Sequence, residues 1–383
     1  MDGAFEMSGL RPFAVELMDE ILSKMFVVKR DLSLYYAVCG MTPPSGISVR
    51  LKQAVKEVMR WFRFARVDWE NRELRNLLST LDPYWDGLQV LYERLEDSAS
   101  RDTLIKVIAH RMLGTLRVTL PAETPRYREL FEQARSLENR EDTLPAGVHE
   151  WMLSRMKLET LGYPISLYAN APIVLAIFGM RQYEYRDTDG QVLAGARPGD
   201  LVLDAGACWG DTALYFAERV GPQGQVVSFE FVPRNLEIFA ENRKLNPMLS
   251  ERIQIVEAPL LDEDGKLLSF DLNGPATRVT SGAEPAASTF RTTTIDHVVR
   301  ERQLGRVGMI KMDIEGAEPA ALRGAEETLR RDRPQLAIAL YHSLHDFAEI
   351  PRWIADLNLG YRFYLGHETI FDAETILFAV PTP

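Results

Sequence analysis

The sequence has little cysteine, no long apolar run and no excess of positive charge, and each absence excludes a class of protein. Its 383 residues include two cysteines, Cys39 and Cys208, too few for the disulfide framework of a secreted scaffold. The formal net charge is −11, whereas a nucleic-acid partner needs a basic face. No stretch approaches the roughly 20 apolar residues that span a bilayer, and no signal-peptide pattern opens the chain. We therefore expect a cytoplasmic protein with neither a nucleic-acid nor a membrane partner.

The chain is long enough for two domains, and its pattern changes well before the middle. From about residue 13 to 137 the apolar residues recur at helical spacing, with breaks at MTPPSG and LPAETP. Short β-type runs follow. The sequence predicts a mainly helical N-terminal domain at residues 1–145 and an α/β domain at residues 146–383. Amphipathic helices expose one face, so we expect the helical domain to contribute acceptor recognition or homo-oligomer contacts.

Strand and helix patterns alternate in the second domain. The segments DLVLDAG, GQVVSFE, RIQIVEA, RVGMIKMD and QLAIALYH predict strands, and helical patterns lie between them. Such alternation predicts a parallel sheet with helices on both faces. Residues 266–294 are irregular and predict a hairpin insertion, and GYRFYLGH with ETILFAVP predicts a closing hairpin. APIVLAIFG, at residues 171–179, is too short to cross a membrane and predicts buried core.

The first predicted strand ends in a glycine turn. The segment LVLDAGACWGDTALYF passes from an apolar strand through Asp204, Gly206 and Gly210 into a helix. Such a turn presents unpaired N–H groups and the positive end of the helix dipole to a ligand. The dinucleotide fingerprint G-x-G-x-x-G needs glycine where Cys208 stands. The pattern therefore favours a nucleoside with a smaller anion, such as the carboxylate of S-adenosylmethionine, over a pyrophosphate.

Other predicted strands also end in polar residues. Ligands of open parallel sheets bind outside the carboxyl ends of the strands. Glu230 ends the second strand about 20 residues after Gly210, a spacing at which a carboxylate accepts hydrogen bonds from ribose hydroxyls. Asp313 and Glu315 follow the fourth strand and His342 follows the fifth. These residues indicate a nucleoside site beside groups suited to proton transfer.

Four separate segments resemble the FkbM family of S-adenosylmethionine-dependent methyltransferases. They are GDLVLDAGACWGDTALYFA, VVSFEFVPRNLEIFAENRKLNP, IKMDIEGAEPAAL and ETILFAV. The resemblance covers about residues 163–380. It implies a class I methyltransferase fold, a Rossmann-like sheet of seven strands with the last antiparallel. It also implies transfer of a methyl group from S-adenosyl-L-methionine to a hydroxyl of a sugar, glycan or polyketide-type small molecule.

The resemblance further implies a role for each matching residue. The methionine part of the cofactor would be surrounded by Asp204, Gly206, Ala207 and Gly210. Asp211 and Thr212 would open the helix that receives its carboxylate. Glu230 would bind the ribose and Phe231 would lie against the adenine. The fourth-strand motif is matched by Lys311, Asp313, Glu315, Gly316 and Glu318.

Methyl transfer to a hydroxyl needs alignment of oxygen, carbon and sulfur, and removal of one proton. We expect His342, Asp313 and Glu315 to carry this chemistry. In one route neutral His342 is the base, so the rate rises with pH near the usual imidazole pKa of about 6.5. In the other, Asp313 and Glu315, with Asp346, hold a divalent cation such as Mg²⁺ that acidifies the hydroxyl. The first route is favoured because the sequence has no tight cluster of three carboxylates.

Two other functions stay open on the residues alone. A nicotinamide-dependent oxidoreductase would use a similar nucleoside site, but it would need glycine at Cys208 and would give DIEGAE no role. A non-catalytic nucleoside-binding scaffold would keep the fold without the chemistry. The polar residues at every predicted strand end argue against a scaffold.

Overall fold

The computed structural model describes residues 12–24, 79–148, 150–274, 277–279 and 288–382. Cys39 and the helical pattern predicted around residues 51–67 lie outside these ranges. Within them, no helix combines the length and the apolar composition that crossing a membrane requires.

The strands, in chain order, include two small N-terminal groups and the core of the α/β region. They are β1 (Asn139–Pro145), β2 (Met152–Lys157), β3 (Ser166–Ala169), β4 (Tyr185–Arg186), β5 (Val192–Ala194), β6 (Leu201–Ala205), β7 (Gln225–Phe229), β8 (Ile253–Val256), β9 (Leu267–Asp271), β10 (Arg278–Val279), β11 (Ser288–Arg291), β12 (Val307–Met312), β13 (Gln335–Ala339), β14 (Tyr361–His367) and β15 (Thr375–Pro381).

The described helices precede, connect and cover these strands. They include α1 (Pro12–Lys24), α2 (Trp85–Arg94), α3 (Ser98–Leu113), α4 (Pro125–Ser136), α5 (Ala171–Val174), α6 (Asp211–Val220), α7 (Pro233–Leu245), α8 (Pro247–Ser250), α9 (Ile295–Glu301), α10 (Glu318–Arg323), α11 (Glu326–Asp332) and α12 (Leu344–Asp356). A 3₁₀ turn lies at Glu159–Leu161, and a π-helical turn at Leu175–Gly179 continues α5.

A seven-stranded sheet in the order β14-β15-β13-β12-β6-β7-β8 forms the centre of the molecule. The pairs β13–β12, β12–β6, β6–β7 and β7–β8 are parallel. The last strand, β15, is antiparallel to both of its neighbours. Every residue of β6 and β13 is buried, as expected when helices cover both faces of a parallel sheet. The predicted seven-stranded class I sheet with its antiparallel last strand is confirmed.

The described N-terminal helices pack on this sheet. Leu91 and Leu95 of the α2 region and Ile108 of α3 are buried in one hydrophobic core with Leu203 of β6. The same core contains the apolar stripe of α1, whose i, i+4 spacing faces it inward. Leu95 also forms a β-bridge with Phe363 of β14. The helices before residue 145 therefore share their core with the α/β region, and the division at residues 145 and 146 stays a prediction.

Smaller sheets lie around the central one. Strands β1, β2 and β3 form an antiparallel sheet, and β4 pairs with β5. Strands β9, β10 and β11 form a third, in the order β10-β9-β11, where the sequence predicts an insertion at residues 266–294. The insertion lies between β8 and β12 in the chain, beside the carboxyl ends of the central strands. It therefore supplies part of the wall of the site described next.

Candidate active site

A cavity of about 680 Å³ opens at the carboxyl ends of β6, β7 and β12, and its size suits a small-molecule site. Seven of the eleven residues predicted to hold the cofactor or to carry the chemistry line it: Gly206, Asp211, Thr212, Glu230, Phe231, Asp313 and Glu315. Four others, Asp204, Ala207, Gly210 and His342, do not line it. These four residues lie behind the cavity wall, in contact with residues that line it.

The glycine turn after β6 is required by packing. Gly206 has φ +82°, and a Cβ there would lie 1.9 Å from the carbonyl oxygen of Asp313. Gly210 has φ +81°, and a Cβ there would lie 2.1 Å from the ring of Phe239. Side chains at these positions would collide with protein atoms before meeting any ligand. The turns after β6 and β12 can approach each other only because position 206 is glycine.

Asp204 and Lys311 hold this turn from inside the protein. Both side chains are buried, and Lys311 Nζ lies 3.3 Å from Asp204 Oδ1. Lys311 also donates hydrogen bonds to the carbonyls of Ala205 (3.1 Å) and Gly206 (2.7 Å). The hydroxyl of Thr212 donates to Asp204 Oδ2 at 2.9 Å. Asp204 therefore holds the turn from behind the cavity wall, and its predicted contact with a cofactor stays a prediction.

Glu230 is fixed by its own chain. Its Oε1 accepts hydrogen bonds from the backbone N–H groups of Phe231 (2.6 Å) and Val232 (2.7 Å), and its Oε2 accepts one from Asn235 Nδ2 (3.1 Å). A carboxylate accepts about four hydrogen bonds, two at each oxygen. Burial raises the pKa of Glu230 to about 7. One acceptor position, on Oε2, therefore stays open for a ligand hydroxyl.

Trp209 and Asn235 support Glu230 and were missed by sequence reasoning. The fully buried Trp209 donates from Nε1 to Asn235 Oδ1 at 3.2 Å. Asn235 in turn donates to Glu230 and so fixes the position of its carboxylate. Cys208 precedes Trp209 in the glycine turn and has φ +45°. Burial raises the pKa of its thiol well above the usual value. Cys208 is therefore an unreactive turn residue. The signal for Asn235 was its place in the first turns of α7, just after Glu230.

Aromatic side chains form the wall of the cavity next to Glu230. Phe231 lies 4.7 Å from Phe270 and 5.0 Å from Phe290, measured between ring centroids. Phe270 and Phe290 belong to β9 and β11 of the insertion. Rings at these distances pack edge to face or tilted. The insertion thus provides an apolar, aromatic surface close to Glu230.

Asp313 is held by three side chains. Its Oδ1 accepts a hydrogen bond from the hydroxyl of Tyr341 at 2.8 Å, and its Oδ2 accepts one from Tyr183 at 3.3 Å. His342 Nε2 lies 3.3 Å from Oδ1. Burial alone would raise the pKa of Asp313, but His342 and Lys311 hold it at about 2. Asp313 is therefore charged at neutral pH and a poor proton acceptor.

His342 lies among carboxylates behind the cavity wall. Its side chain is 4% exposed, and Nε2 lies 3.0 Å from Glu318 Oε1. Nδ1 lies 3.6 Å from Glu315 Oε2. Burial alone would lower the pKa of His342, but Asp313 and Glu318 raise it to about 11. His342 is therefore an imidazolium at neutral pH, a setting that does not suit the neutral imidazole base expected from the sequence.

The same cluster is the group of described residues that could hold a metal ion. Asp313, Glu318 and His342 each offer one ligand atom, and these atoms lie within 4.8 Å of one another. The set differs from the predicted one, since Asp346 instead accepts a hydrogen bond from Ser343 at 2.9 Å. Glu318 also accepts the backbone N–H groups of Ile314 and Gly316. Protonated His342 therefore already supplies the positive charge that a metal ion would bring to these carboxylates.

The rest of the cavity wall comes from residues to which the sequence assigned no role in the site. Apolar and aromatic side chains from α4, α5 and the π-helical turn line one side: Tyr127, Pro172, Ile173, Ala176 and Ile177. The sequence predicted this segment as core only, because an apolar run does not show which of its atoms face a cavity. Gln182 and Glu374 line the cavity near Asp313 and were also missed.

Comparison with known proteins agrees with this geometry. The sequence profile of the methyltransferase FkbM domain matches residues 194–363. Catechol O-methyltransferase of Mycobacterium tuberculosis is 34% identical over 71 residues, which cover 18% of this chain and 32% of that protein. The 2-phytyl-1,4-naphtoquinone methyltransferase of a Nostoc species is 42% identical over 77 residues, covering 20% and 33%. The chain thus spans about a third of the length of these curated relatives.

Solved structures of methyltransferases are similar as well. The methyltransferase FkbM from Methylobacillus flagellatus KT has a TM-score of 0.47 and 18% identity, over 76% of this chain and 58% of that one. Aeropyrum pernix fibrillarin in complex with S-adenosyl-L-methionine has a TM-score of 0.32 and 17% identity, over 48% and 67%. The domain match at residues 194–363 includes the glycine turn, Glu230 and the segment of Asp313. Over that segment, the chain is similar to the FkbM methyltransferase family.

Proposed function

We propose that the protein transfers a methyl group from S-adenosylmethionine to a hydroxyl of a small molecule. The observation that carries the proposal is the fixed carboxylate of Glu230, with one open acceptor position on a cavity that Gly206 also lines. A carboxylate at the second strand end suits a ribose hydroxyl. The FkbM domain match supports the same cofactor.

The neighbouring residues would bind the other parts of the cofactor. Phe231 and Phe270 offer an apolar surface to the adenine. The N-terminus of α6 attracts the methionine carboxylate through the helix dipole. Asp211, which burial leaves with a pKa of about 6, is mostly charged at neutral pH and suits the ammonium group. Each part of the molecule then has a partner of matching chemistry.

The acceptor side favours a polyketide-type or phenolic acceptor over a free sugar or glycan. Its wall is apolar and aromatic, with Tyr127, Ile173 and Ile177, whereas sugars need many polar partners. The similarity to a catechol O-methyltransferase, confined to 71 residues, makes catechol a reasonable first probe acceptor. A nicotinamide-dependent oxidoreductase is disfavoured, because the glycine turn lacks the spacing that cradles a pyrophosphate.

Calorimetry tests the cofactor. We expect the protein to bind S-adenosylhomocysteine and not NAD, and Glu230→Gln to weaken that binding about tenfold or more. The reason is the loss of a charged acceptor, whose hydrogen bond contributes about 1.5–3 kcal/mol. Glu237→Gln, an exposed position on helix α7, which follows Glu230, is the matched control and should bind normally. Binding of NAD in preference, or full affinity in Glu230→Gln, would overturn the proposal.

A mass measurement tests the reaction. Incubated with S-adenosylmethionine, the protein should raise the mass of an acceptor by one methylene. Catechol is tried first and extracts of the host cell second.

A further inference from the structure

Five carboxyl side chains of the described residues line the cavity, and four of them have partners or positions that assign them another role. Asp313 is held by Tyr341, Tyr183 and His342, and its low pKa of about 2 makes it a poor proton acceptor. Glu315 lies toward His342 at 3.6 Å. Glu230 and Asp211 lie on the cofactor side, at the end of β7 and the start of α6. Among the described residues that line the cavity, Glu374 is the carboxyl that remains for the acceptor.

We infer that Glu374 is the general base of the methyl transfer, and that Gln182 holds it and a second polar group of the acceptor. This inference rests on the proposed methyltransferase function. It assigns catalysis to the loop between β14 and β15, outside every motif of the glycine turn and the fourth strand.

Glu374 is placed by an unusual backbone. Its φ is +65°, a left-handed conformation that non-glycine residues seldom adopt outside turns and functional sites. Glu374 directly precedes β15, and with Ala373 and Phe371 it lines the cavity. The antiparallel pairing of β14 with β15 anchors both ends of the loop. The carboxyl is thus presented from a rigid hairpin.

Gln182 gives an independent indication of a ligand. The side chain is buried, at 4% exposure, and its Nε2 donates to Glu374 Oε2 at 3.2 Å. Its Oε1 is buried and accepts no hydrogen bond, although Gln182 lines the cavity. A buried amide oxygen without a donor is costly. An acceptor with a second donor beside the methylated hydroxyl, such as a vicinal diol or catechol, would satisfy it.

The charged surroundings suit a base. Burial and the negative charge of Asp313 raise the pKa of Glu374 to about 8, while Gln182, His342 and Lys311 oppose this rise. The hydroxyls of Tyr183 and Tyr341 also lie in this field and stay protonated, because burial raises the pKa of each well above its usual value. A base with a pKa near the working pH transfers protons most efficiently.

The step balances without a further reactant. The proton of the acceptor hydroxyl moves to a carboxylate oxygen of Glu374 as the acceptor oxygen forms a bond to the methyl carbon. The carbon–sulfur bond breaks and its electron pair stays on sulfur, which becomes neutral. The products are the methyl ether, S-adenosylhomocysteine and protonated Glu374, which then releases its proton to solvent.

The test compares Glu374→Gln with Glu368→Gln in the full chain. Glu368 is a half-buried carboxyl of the same loop that does not line the cavity, and desolvation raises its pKa to about 7. With catechol as the probe acceptor, Glu374→Gln should lower kcat about 10²-fold or more and leave S-adenosylhomocysteine affinity unchanged. Glu368→Gln should keep kcat. The wild-type kcat should rise with pH through a midpoint near pH 8 and level off above about pH 9. The Glu374→Asp variant should recover part of the kcat that Glu374→Gln loses.

A second measurement does not depend on the acceptor. In the complex with S-adenosylhomocysteine, a carbon-13 titration should show a glutamate carboxyl with a midpoint near pH 8 that is missing from Glu374→Gln. A Glu374→Gln variant with wild-type kcat, or the absence of such a carboxyl, would overturn the inference. A large loss of S-adenosylhomocysteine binding in Glu374→Gln would also overturn it, by placing Glu374 at the cofactor. Failure of the wild type to bind S-adenosylhomocysteine would instead refute the proposed function.

Discussion

The cofactor side and the chemical side of the cavity are held together in different ways. On the cofactor side, Glu230 is fixed by N–H groups one and two residues further along the chain. On the chemical side, Asp313 is fixed by Tyr341 and by Tyr183, which is 130 residues away in sequence. The first arrangement is local and the second depends on tertiary packing. A sequence motif can therefore identify a cofactor site while saying little about the catalyst.

The two sides also differ in charge. Glu230 is buried and Asp313 is largely buried, yet the pKa of Glu230 is raised to about 7 and that of Asp313 is lowered to about 2. Burial and neutral hydrogen-bond donors come before Lys311 among the influences on Glu230, whereas His342 and Lys311 are both strong influences on Asp313. Burial penalises the charged form of both. The charge of the neighbours, more than the depth of burial, decides which acid keeps its proton.

The largest effect is expected from a change at Gly206, where the two sides of the cavity touch. Gly206→Val should destabilise the whole protein by on the order of 3 kcal/mol or prevent folding, because its side chain would enter the carbonyl of Asp313 at a left-handed φ. Thermal unfolding measures this. If Gly206→Val lost only cofactor binding and kept wild-type stability, glycine would be needed there to make room for the ligand and not for the carbonyl of Asp313.

Gly190→Val separates the two sources of strain. Gly190 has φ +80°, and a Cβ there has no neighbour within 4 Å. The variant has the same backbone conformation without the collision, so it should lose only about 1–3 kcal/mol. Equal melting temperatures for Gly190→Val and Gly206→Val would mean that the contact with Asp313 contributes nothing.

Sequence reasoning succeeded where the signal was periodic or local. Alternating patterns predicted the central sheet with its antiparallel last strand, and the glycine turn placed Gly206 and Glu230 on one cavity. It could not find the pair of Gln182 and Glu374, whose hydrogen bond joins positions 192 residues apart. Nor could it show that Asp204 faces away from the cavity, since the direction of a strand-end side chain depends on the packing of Lys311.

His342 offers a test of intermediate size on the chemical side. Its folded pKa is raised to about 11 from an unfolded value near 6.5, so the folded state binds the extra proton. This stabilisation is fully present below about pH 6.5 and is lost as pH rises toward 11. We expect His342→Gln to lower the melting temperature most near pH 6, and the difference from wild type to shrink steadily at higher pH. A difference that grows with pH would indicate a neutral imidazole.

His342 should also leave no mark on the pH–rate profile near 6.5. If the group is an imidazolium throughout the working range, its titration cannot limit the rate there. A rising limb near pH 6.5 that disappears in His342→Gln would restore this residue as the base and displace Glu374.

The smallest effect is expected from removing divalent cations. The positive charge among Asp313, Glu315 and Glu318 is already supplied by protonated His342, and a cation at the same atoms would have to displace that proton. Hard cations such as Mg²⁺ also prefer oxygen ligands, and the cluster offers a nitrogen. We therefore expect EDTA to leave methyl transfer unchanged, as measured by release of S-adenosylhomocysteine. Loss of activity in EDTA, with recovery on adding Mg²⁺, would replace the proton by a metal and assign the acidification of the acceptor to the cluster.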